Sequence, residues 1–338
     1  MKTVTLIKSG KAEAAFQQIE MPTPSPQEGE VLIRVEAFGL NFADVLARLG
    51  LYKEAPPLPC VLGYEAVGTV EEVGDGVDSS WIGKRVTAFT RFGGYAEFVT
   101  TQASGIAEIG DMDAGKAAAL ATQYGTAWYM AMDRAFLREG DAVLVHSAAG
   151  GVGTALTQIL KQKGCIIFGT TSSEAKFQYL RDNGVDHPIN YKTHDYAEEI
   201  NKISDKKITT SFNAVGGRSF KKDMKLITEG GTVFTYGAAS RAGQGGGIFA
   251  NLGLLFSMGF THPLFLLMQS KSIIGANMLH VGDHQPDVLS ACISGVVKWA
   301  EEGKINPLVG ESYPVAEIAQ AHSALENGQT TGKIVMTW

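Results

Sequence analysis

The sequence predicts an α/β protein in which a doubly wound parallel sheet is joined to a second, mostly antiparallel β domain. From about residue 141 onwards, strand-like and helix-like segments alternate strictly. Repeated strand–helix–strand units require a parallel sheet with right-handed crossovers and helices on both faces. Before about residue 122, short strand-like segments are instead separated by turns rich in Pro and Gly, which is typical of antiparallel sheets.

Length and composition set the first limits on function. A chain of 338 residues with 45% hydrophobic and 19% charged residues can bury the cores of about two domains. The net charge of −6 and the lack of a basic block argue against a nucleic-acid surface. Cys60, Cys165 and Cys292 are far apart and odd in number, which favours a reduced, cytoplasmic protein. The N-terminal segment lacks the apolar run of a signal peptide.

The predicted β domain contains two proline-rich segments, residues 21–26 and 54–59, that cannot lie inside helices. A helix-like stretch over residues 117–137 then leads into the alternating region. The predicted strands of the β domain are residues 30–37, 66–73, 85–89 and 94–100.

The alternating region predicts the parallel sheet, and the tail after it is expected to pack back onto the β domain. Its predicted strands are residues 142–147, 165–170, 185–190, 208–215, 231–237 and 272–275, and its helices are 152–163, 173–182, 195–203 and 217–228. The tail adds a helix over 287–302 and a strand over 332–337. The predicted domains are therefore residues 1–122 with 278–338, and residues 123–277.

An apolar segment, residues 248–268, is about long enough to span a bilayer. It carries Asn251, His262 and Pro263, and it lies within an otherwise globular sequence. We therefore expect an apolar loop or helix that lines a pocket or a subunit contact, with membrane association as the alternative.

The first strand of the parallel sheet runs into HSAAGGVG, residues 146–153, which opens a helix. A dinucleotide-binding loop needs small residues at three offsets, for a tight turn, a close approach to the pyrophosphate and close helix packing. Ala148, Gly150 and Gly153 occupy these offsets. The helix N-terminus would then offer its unpaired N–H groups to the phosphates. The pattern predicts a Rossmann-type dinucleotide-binding domain.

The choice of dinucleotide is made about 20 residues further on, where an NAD site carries an acid for the ribose hydroxyls. Here the strand end carries Thr170, Thr171 and Ser172, and Lys176 follows one helical turn later. Hydroxyls and an ammonium would bind a 2′-phosphate, so NADPH is favoured over NADH. Glu174 opposes this preference if its side chain points inward.

Few other motifs carry chemistry. His280 and His284 are four residues apart, but Gly282 and Pro286 argue against a helix, so a surface loop is favoured over a metal site. His187 and His194 are also expected in exposed loops. A bound NADPH without a metal or flavin motif implies direct hydride transfer to a quinone or to an electrophilic carbon.

The chain resembles the medium-chain dehydrogenase/reductase superfamily and, within it, the zinc-independent quinone oxidoreductases of the zeta-crystallin type. The blocks that carry the resemblance are GLNFADVLARLGLY (39–52), PPLPCVLGYEAVGTV (56–70), LVHSAAGGVG (144–153) and the terminal GKIVM. They are particularly close to the vesicle amine transport protein branch. The resemblance implies a GroES-like N-terminal domain, a Rossmann domain and a homodimer.

The resemblance also identifies site residues. The zinc alcohol dehydrogenases place a Cys and a His ligand where this chain has Asn41 and Tyr64, so no catalytic metal is expected. Asn41, Asp44 and Tyr52 match polar residues of the quinone oxidoreductase cleft and are the candidate catalytic residues. The tyrosine that the family places two positions after this Asp is Leu46 here, which makes the pocket more apolar.

The cofactor contacts are likewise implied by the resemblance. They comprise Gln123 and Thr126 near the nicotinamide, Ala149, Gly150, Gly151 and Val152 at the pyrophosphate, Thr171, Ser172, Lys176 and Tyr191 at the 2′-phosphate, Tyr236, Gly237 and Asn277 along the ribose, and Lys333 from the tail. Three of the site residues have structural alternatives: Tyr191 as a cap of the sheet edge, Asp44 as a helix N-terminal acid, and Thr126 as a buried helix hydroxyl.

The sequence thus predicts an NADPH-dependent, zinc-independent reductase that transfers hydride to a small-molecule quinone. The developing oxyanion would be stabilised by the Asn41 amide, the Tyr52 hydroxyl or a ribose hydroxyl, with solvent as a source of the final proton. Two alternatives stay open. One is an enone or alkenal reductase, and the other is an NADPH-binding protein that binds lipid or a partner at a membrane.

Overall fold

A computed structural model of the protein describes residues 1–242, 257–259 and 261–338. Contacts between Cα atoms divide it into two compact units. The first unit combines Met1–Thr126 with Met278–Trp338, and the second is Ala127–Asn277. The first boundary between the two units follows Thr126 rather than residue 122, where the sequence predicted it. The hydrogen bond from Gln123 to Asn41 agrees with the assignment of Gln123 to the first unit.

The described strands and helices are numbered in chain order. The strands are β1 Lys2–Leu6, β2 Phe16–Glu20, β3 Glu30–Leu40, β4 Cys60–Val61, β5 Glu65–Val73, β6 Arg85–Phe89, β7 Phe98–Gln102, β8 Ile106–Glu108, β9 Ala142–Val145, β10 Ile166–Thr171, β11 His187–Asn190, β12 Ile208–Asn213, β13 Ile227–Thr235, β14 Ser272–Gly275, β15 Val309–Pro314 and β16 Lys333–Thr337. The helices are α1 Ala12–Ala15, α2 Phe42–Arg48, α3 Ala114–Ala119, α4 Gly125–Trp128, α5 Gly151–Gln162, α6 Phe177–Asp182, α7 Tyr196–Ile203, α8 Arg218–Leu226, α9 Pro263–Gln269, α10 Met278–His284, α11 Pro286–Glu301 and α12 Ile318–Glu326.

The first unit is built on two sheets. A three-stranded sheet has the order β2-β1-β4, and a seven-stranded sheet has the order β15-β16-β3-β5-β6-β8, with β7 also paired to β3. Apart from the parallel β15–β16 pair, the strand pairs of this unit are antiparallel. The tail contributes β15 and β16, and it therefore packs onto the β domain as predicted.

The second unit contains a six-stranded, wholly parallel sheet of order β11-β10-β9-β12-β13-β14. The chain order reverses between β9 and β12, which is the switch point at which dinucleotides bind in this type of sheet. Apolar residues of β9, β10 and β12 pack with α7 and α8 into one core that includes Leu144, Phe168 and Ile200. The predicted fold class is confirmed.

Several local predictions were less accurate. The helix predicted over 217–228 ends at Leu226, and residues 227 and 228 open β13 instead. The strand predicted over 94–100 is β7, Phe98–Gln102. The stretch predicted to be helical over 117–137 is helical up to Arg134, and it contains two π-helical segments, Leu120–Tyr124 and Tyr129–Arg134. The sequence analysis did not predict the helices α2 and α12, which are short and largely determined by tertiary packing.

Two histidine predictions were wrong. His280 and His284 lie on α10 rather than in a loop, because Gly282 is tolerated within the helix and Pro286 opens the next helix. Their rings stack with centroids 6.1 Å apart, and both side chains are exposed. His187 opens β11 and is half-buried, with its ring stacked on Phe168 at 4.6 Å. His194 lies in an exposed turn, as predicted.

The apolar segment 248–268 falls largely outside the described residues, which begin again at residues 257–259 and 261. Its last part forms α9, where Leu267 and Met268 are 75% and 73% exposed. Among the helices that the structure describes, none combines the length and the hydropathy needed to cross a bilayer.

Candidate functional site

Asn41 lies between β3 and α2 and is 8% exposed. Its side chain contacts three buried groups from distant parts of the chain. Its Nδ2 donates to Glu65 Oε1 at 2.8 Å. Its Oδ1 accepts from Gln123 Nε2 at 3.2 Å and from Lys333 Nζ at 3.3 Å. We call Asn41, Glu65, Gln123 and Lys333 the Asn41 cluster.

The cluster fixes the orientation of the Asn41 amide. A carboxylate can only accept hydrogen bonds, and an ammonium can only donate them. The amide nitrogen must therefore face Glu65 and the oxygen must face Lys333. In the flipped orientation, the amide oxygen would face the Glu65 carboxylate and the amide NH2 group would face the Lys333 ammonium. One N–H of the amide is used by Glu65, and the second has no partner among the described residues. This N–H is a candidate donor to a substrate oxygen.

Lys333 and Glu65 form an ion pair in which both side chains are fully buried. Lys333 Nζ also donates to the backbone oxygen of Leu40 at 3.3 Å. Burial lowers the pKa of the Lys333 amine, although the charge of Glu65 opposes this shift. Gly39 makes the pair possible, because a Cβ at this position would overlap the end of the Lys333 side chain and a Glu65 oxygen. The resemblance assigned Lys333 to the cofactor, and that assignment stays a prediction.

Asp44 is fully buried in the first turn of α2. Its Oδ2 accepts from the backbone N–H of Asn41 at 2.8 Å, and its Oδ1 accepts from that of Gly63 at 3.2 Å. Burial, with a smaller contribution from the negative charge of Glu65, raises the pKa of Asp44 to about 7. Asp44 is therefore a helix N-terminal acid that can also hold or release a proton near neutral pH.

Aromatic side chains form a wall next to these polar groups. The Tyr64 ring packs edge-on against Tyr52, with centroids 6.1 Å apart, and is tilted against Phe92 at 5.1 Å. Phe92 has a φ of 70°, a left-handed conformation that is rare for a bulky residue and often marks a functional site. Burial raises the pKa of the Tyr52 and Tyr64 hydroxyls, so both stay protonated donors. Leu46 is 7% exposed and belongs to the apolar core of this unit.

Three buried polar atoms in this region have no hydrogen-bond partner among the described residues. They are Tyr64 Oη, Glu65 Oε2 and Gln123 Oε1. A buried polar atom without a partner costs about 1–3 kcal/mol, and native proteins keep few of them. Glu65 and Gln123 both contact Asn41, which indicates a place where a polar ligand or solvent completes the hydrogen bonding.

Thr126 was predicted near the nicotinamide, with a buried helix hydroxyl as the alternative. It is 9% exposed, and its Oγ1 donates to the backbone oxygen of Thr122 at 2.6 Å. This contact is the one expected of a helix hydroxyl. Gln123, by contrast, directs its amide at Asn41 and belongs to the cluster.

In the second unit, the loop between β9 and α5 has the geometry of a dinucleotide-binding turn. Gly150 N donates to the backbone oxygen of Ser147 at 2.9 Å, and α5 begins at Gly151. A Cβ on Gly153 would lie 2.6 Å from the Cα of Ala148, so only glycine allows this close packing. The N–H groups at the start of α5, which include those of Gly151 and Val152, are available to anions. These features, with the small Ala149, fit a pyrophosphate.

The end of β10 carries the predicted 2′-phosphate residues. Thr171 ends the strand, Ser172 is half-buried, and the backbone N–H of Tyr191 donates to Thr171 O at 3.1 Å. The Tyr191 ring is 47% exposed beside this strand end. Burial lowers the pKa of Lys176, and the charge of Lys192 lowers it further. An anion bound between the two ammonium groups would relieve this repulsion. Glu174, whose negative charge would oppose a phosphate, is exposed to solvent.

The remaining predicted cofactor residues follow other strands of the same sheet. Tyr236 and Gly237 come directly after β13, and Asn277 lies two residues after β14. The carboxyl ends of parallel strands meet at one edge of the sheet, so these residues share that edge with the β9–α5 loop. Their cofactor contacts stay predictions.

The sequence analysis missed Glu65 and Gly39. Glu65 stands at the first position of an apolar strand, which is an unusual place for a charge and was a usable signal. Gly39 could not be recognised without the neighbours that it admits. Among the described residues, no group of three or more His, Cys, Asp or Glu could hold a metal ion.

Comparison with known proteins places the chain in context. Residues 27–111 match the alcohol dehydrogenase GroES-like domain, and residues 151–293 match the zinc-binding dehydrogenase family. The chain is 33% identical over 338 residues to a synaptic vesicle membrane protein VAT-1 homolog of Danio rerio, covering 99% of this chain and 70% of the relative. It is 30% identical to a quinone oxidoreductase of Rattus norvegicus, covering 99% of this chain and 97% of the relative.

Solved structures extend the likeness to the whole fold. Escherichia coli quinone oxidoreductase complexed with NADPH superposes with a TM-score of 0.87 at 25% identity, covering 100% of both chains. The CurK enoyl reductase superposes with a TM-score of 0.84 at 25% identity, covering 99% of this chain and 98% of the other. The resemblance seen in the sequence is therefore confirmed.

Proposed function

The chain belongs to the zinc-independent quinone oxidoreductases of the medium-chain dehydrogenase/reductase superfamily, near the VAT-1 homologues, and from this premise we propose that it reduces quinones with NADPH. The observation that carries the choice of NADPH is the end of β10. Thr171, Ser172 and the neighbouring Lys176 and Lys192 offer hydroxyls and positive charge, and Glu174 is exposed. A 2′-phosphate suits this environment, whereas a site for NADH would carry an acid.

When bound, NADPH supplies a hydride. The chain's own residues would act on the oxygen of the acceptor. The second N–H of the Asn41 amide is pre-oriented by Glu65 and Lys333, so it can donate to a developing oxyanion without reorganisation. The aromatic wall of the half-buried Tyr52 and the buried Tyr64 and Phe92 offers flat apolar surface to a ring and excludes water, which strengthens such hydrogen bonds.

Asp44 is a candidate carrier of the proton that the reaction consumes, in addition to the solvent named in the sequence analysis. Its pKa of about 7 means that a fraction of the molecules carry a proton on this carboxyl at neutral pH. The carboxyl is bonded to the backbone of Asn41, so its charge state influences the same cluster. We propose that Asp44 holds a proton during the reaction, with solvent as its source.

An enone or alkenal reductase is the second candidate, and the fold shared with the CurK enoyl reductase favours it. Hydride addition to the β-carbon of an enone produces an enolate, which needs the same N–H donor as a quinone oxyanion. The third candidate, a membrane-associated binder of NADPH and lipid, is motivated by the VAT-1 relatives and by exposed apolar side chains of α9, including Leu267 and Met268.

The test is consumption of NADPH, and separately of NADH, across ortho-quinones, para-quinones, enones and alkenals. Turnover of quinones that exceeds turnover of enals by at least about tenfold in kcat/KM supports the proposal. The reverse preference supports the enone reductase. Flotation with liposomes in the absence of any turnover supports the binder. Cytoplasmic location and a homodimer stay predictions, and light scattering of the purified protein checks the latter.

A further inference from the structure

A buried carboxylate in the second unit, Asp223 of α8, has no part in the reaction proposed above. It is fully buried and accepts four hydrogen bonds. The donors are His146 Nε2 at 2.9 Å, Tyr196 Oη at 2.7 Å, Ser211 Oγ at 2.8 Å and Asn213 Nδ2 at 2.6 Å. We call these five residues the Asp223 network.

Asp223 is a carboxylate at neutral pH. Burial alone would raise its pKa, but His146 and the hydrogen bonds from Tyr196 and Asn213 hold the pKa of Asp223 below its usual value. An ionised carboxylate can only accept hydrogen bonds, so each group that faces it must present a proton. Asp223 therefore dictates the orientation of its polar neighbours.

One branch of the network leads from Asp223 to the dinucleotide-binding loop. Asp223 accepts from His146 Nε2, so this ring nitrogen carries a proton. Thr170 Oγ1 lies 3.3 Å from His146 Nδ1, within hydrogen-bond distance. The same Oγ1 accepts from the backbone N–H of Ser147 at 3.3 Å. A continuous chain of hydrogen bonds thus joins Asp223 to Ser147 in the loop between β9 and α5.

Ser147 needs such support. Its φ of 52° is in the left-handed region, which costs a non-glycine residue roughly 1–2 kcal/mol. This conformation places its backbone oxygen where Gly150 N donates to it at 2.9 Å and where Gly153 packs closely. The position of Ser147 therefore sets the shape of the turn that presents N–H groups to a pyrophosphate.

A second branch leads from Asp223 to the loop after β12. Since Asn213 must direct its Nδ2 at Asp223, its Oδ1 faces the other way. That oxygen accepts from Val215 N at 2.9 Å and from Gly216 N at 2.8 Å. β9 and β12 are the adjacent strands at the switch point of the sheet, so one carboxylate supports the loops on both sides of it.

We propose that Asp223 is a positioning residue for dinucleotide binding, acting through His146 and Thr170 on the pyrophosphate loop and through Asn213 on the loop after β12. The inference rests on the proposed function, because it assumes that NADPH binds at this edge of the sheet. Asp223 is fully buried and acts through these neighbours. Its effect is on affinity for the pyrophosphate part of the dinucleotide rather than on hydride transfer.

The experiment breaks the first branch at Thr170, which leaves Asp223 in place. The Thr170 hydroxyl is buried and contacts Ser147 N and His146 Nδ1, so it is not counted among the 2′-phosphate residues predicted at the end of β10. Thr170→Val removes the hydroxyl that links His146 to Ser147, Thr170→Ser keeps it, and Ser211→Ala removes a donor to Asp223 that leads to neither loop. The dissociation constants of NADPH and of adenosine 2′-monophosphate, which lacks the pyrophosphate, are measured for the wild type and each variant. kcat is measured at saturating NADPH.

We expect Thr170→Val to weaken NADPH binding about tenfold, which corresponds to about 1.4 kcal/mol. Binding of adenosine 2′-monophosphate and kcat should change less than about twofold, and Thr170→Ser and Ser211→Ala should resemble the wild type. Asp223→Asn, which affects both branches, should weaken NADPH binding further if it folds.

Three results would overturn the inference: wild-type affinity in Thr170→Val, equal losses in Thr170→Val and Thr170→Ser, or equal losses for both ligands. A wild-type protein that binds neither NADPH nor NADH would instead refute the proposed function, and the inference with it. The wild-type measurement therefore separates the two failures.

Discussion

Two of the buried charged clusters that the structure describes, the Asn41 cluster of the first unit and the Asp223 network of the second, differ in how completely their hydrogen bonds are satisfied. In the second unit, Asp223 accepts from four donors. In the first unit, the Asn41 cluster and the adjacent Tyr64 leave Glu65 Oε2, Gln123 Oε1 and Tyr64 Oη without partners among the described residues. A saturated network makes a rigid scaffold, whereas an unsaturated one retains capacity for a ligand. The contrast agrees with the two proposals made above, in which the Asn41 cluster acts on the substrate and Asp223 positions the dinucleotide-binding loops.

The largest effect is expected at the buried ion pair. Lys333→Met leaves the Glu65 carboxylate buried and unpaired, which should lower the free energy of unfolding by roughly 3–5 kcal/mol. Urea unfolding measures this. Lys84→Met is the matched control, since Lys84 and Glu108 form an exposed pair of the same sheet that should contribute about 1 kcal/mol or less. Equal losses in both variants would show that burial of the Lys333 pair has no energetic consequence.

The raised pKa of Asp44 predicts that the free energy of unfolding depends on pH. Its pKa is near 3.8 in the unfolded chain and about 7 in the folded protein. Between these values the unfolded state binds fewer protons, so the contribution of Asp44 to stability falls as pH rises from about 4 to 7, by up to about 4 kcal/mol.

The measurement is the difference in unfolding free energy between the wild type and Asp44→Asn across this pH range. The wild type should lose stability relative to the variant as pH rises. A difference that is flat with pH, or that grows in favour of the wild type, would mean that Asp44 is ionised at all these pH values.

Asn41→Ala tests whether the pre-oriented N–H acts on the substrate. Loss of an oxyanion donor typically lowers kcat by roughly 100-fold or more, and we expect kcat to fall while the NADPH dissociation constant changes little. Asn327→Ala, which removes an exposed amide of the same unit, is the control. Unchanged turnover in Asn41→Ala would remove Asn41 from the mechanism.

The smallest effect concerns the choice of cofactor. Lys176→Ala should weaken NADPH binding about tenfold and leave NADH binding unchanged, because only NADPH carries the 2′-phosphate. Calorimetry with both dinucleotides measures this. Lys225→Ala, at an exposed position of α8, is the control. A parallel loss for NADH would place Lys176 elsewhere on the cofactor.

The accuracy of the sequence-based predictions followed the range of the interactions involved. The dinucleotide-binding loop was recognised because its signals, a strand followed by small residues and a helix start, lie within residues 142–162. The orientation of Asn41 was not predictable, because Glu65 and Lys333 are 268 residues apart in the chain and meet only across the sheet. The helix α10 was missed because Gly282 is a local signal against helix that tertiary packing overrode.

The order of residues along the chain was enough to determine the class of fold, the alternation of strands and helices and the chemistry of the phosphate-binding turn, since each depends on neighbours in sequence. Which amide hydrogen is left for a substrate, which carboxyl titrates near neutrality and which loops share one carboxylate were decided only by the tertiary structure. Hydrogen-bond partners and burial are properties of groups that folding brings together, and the charge state of a buried group depends on all of them at once.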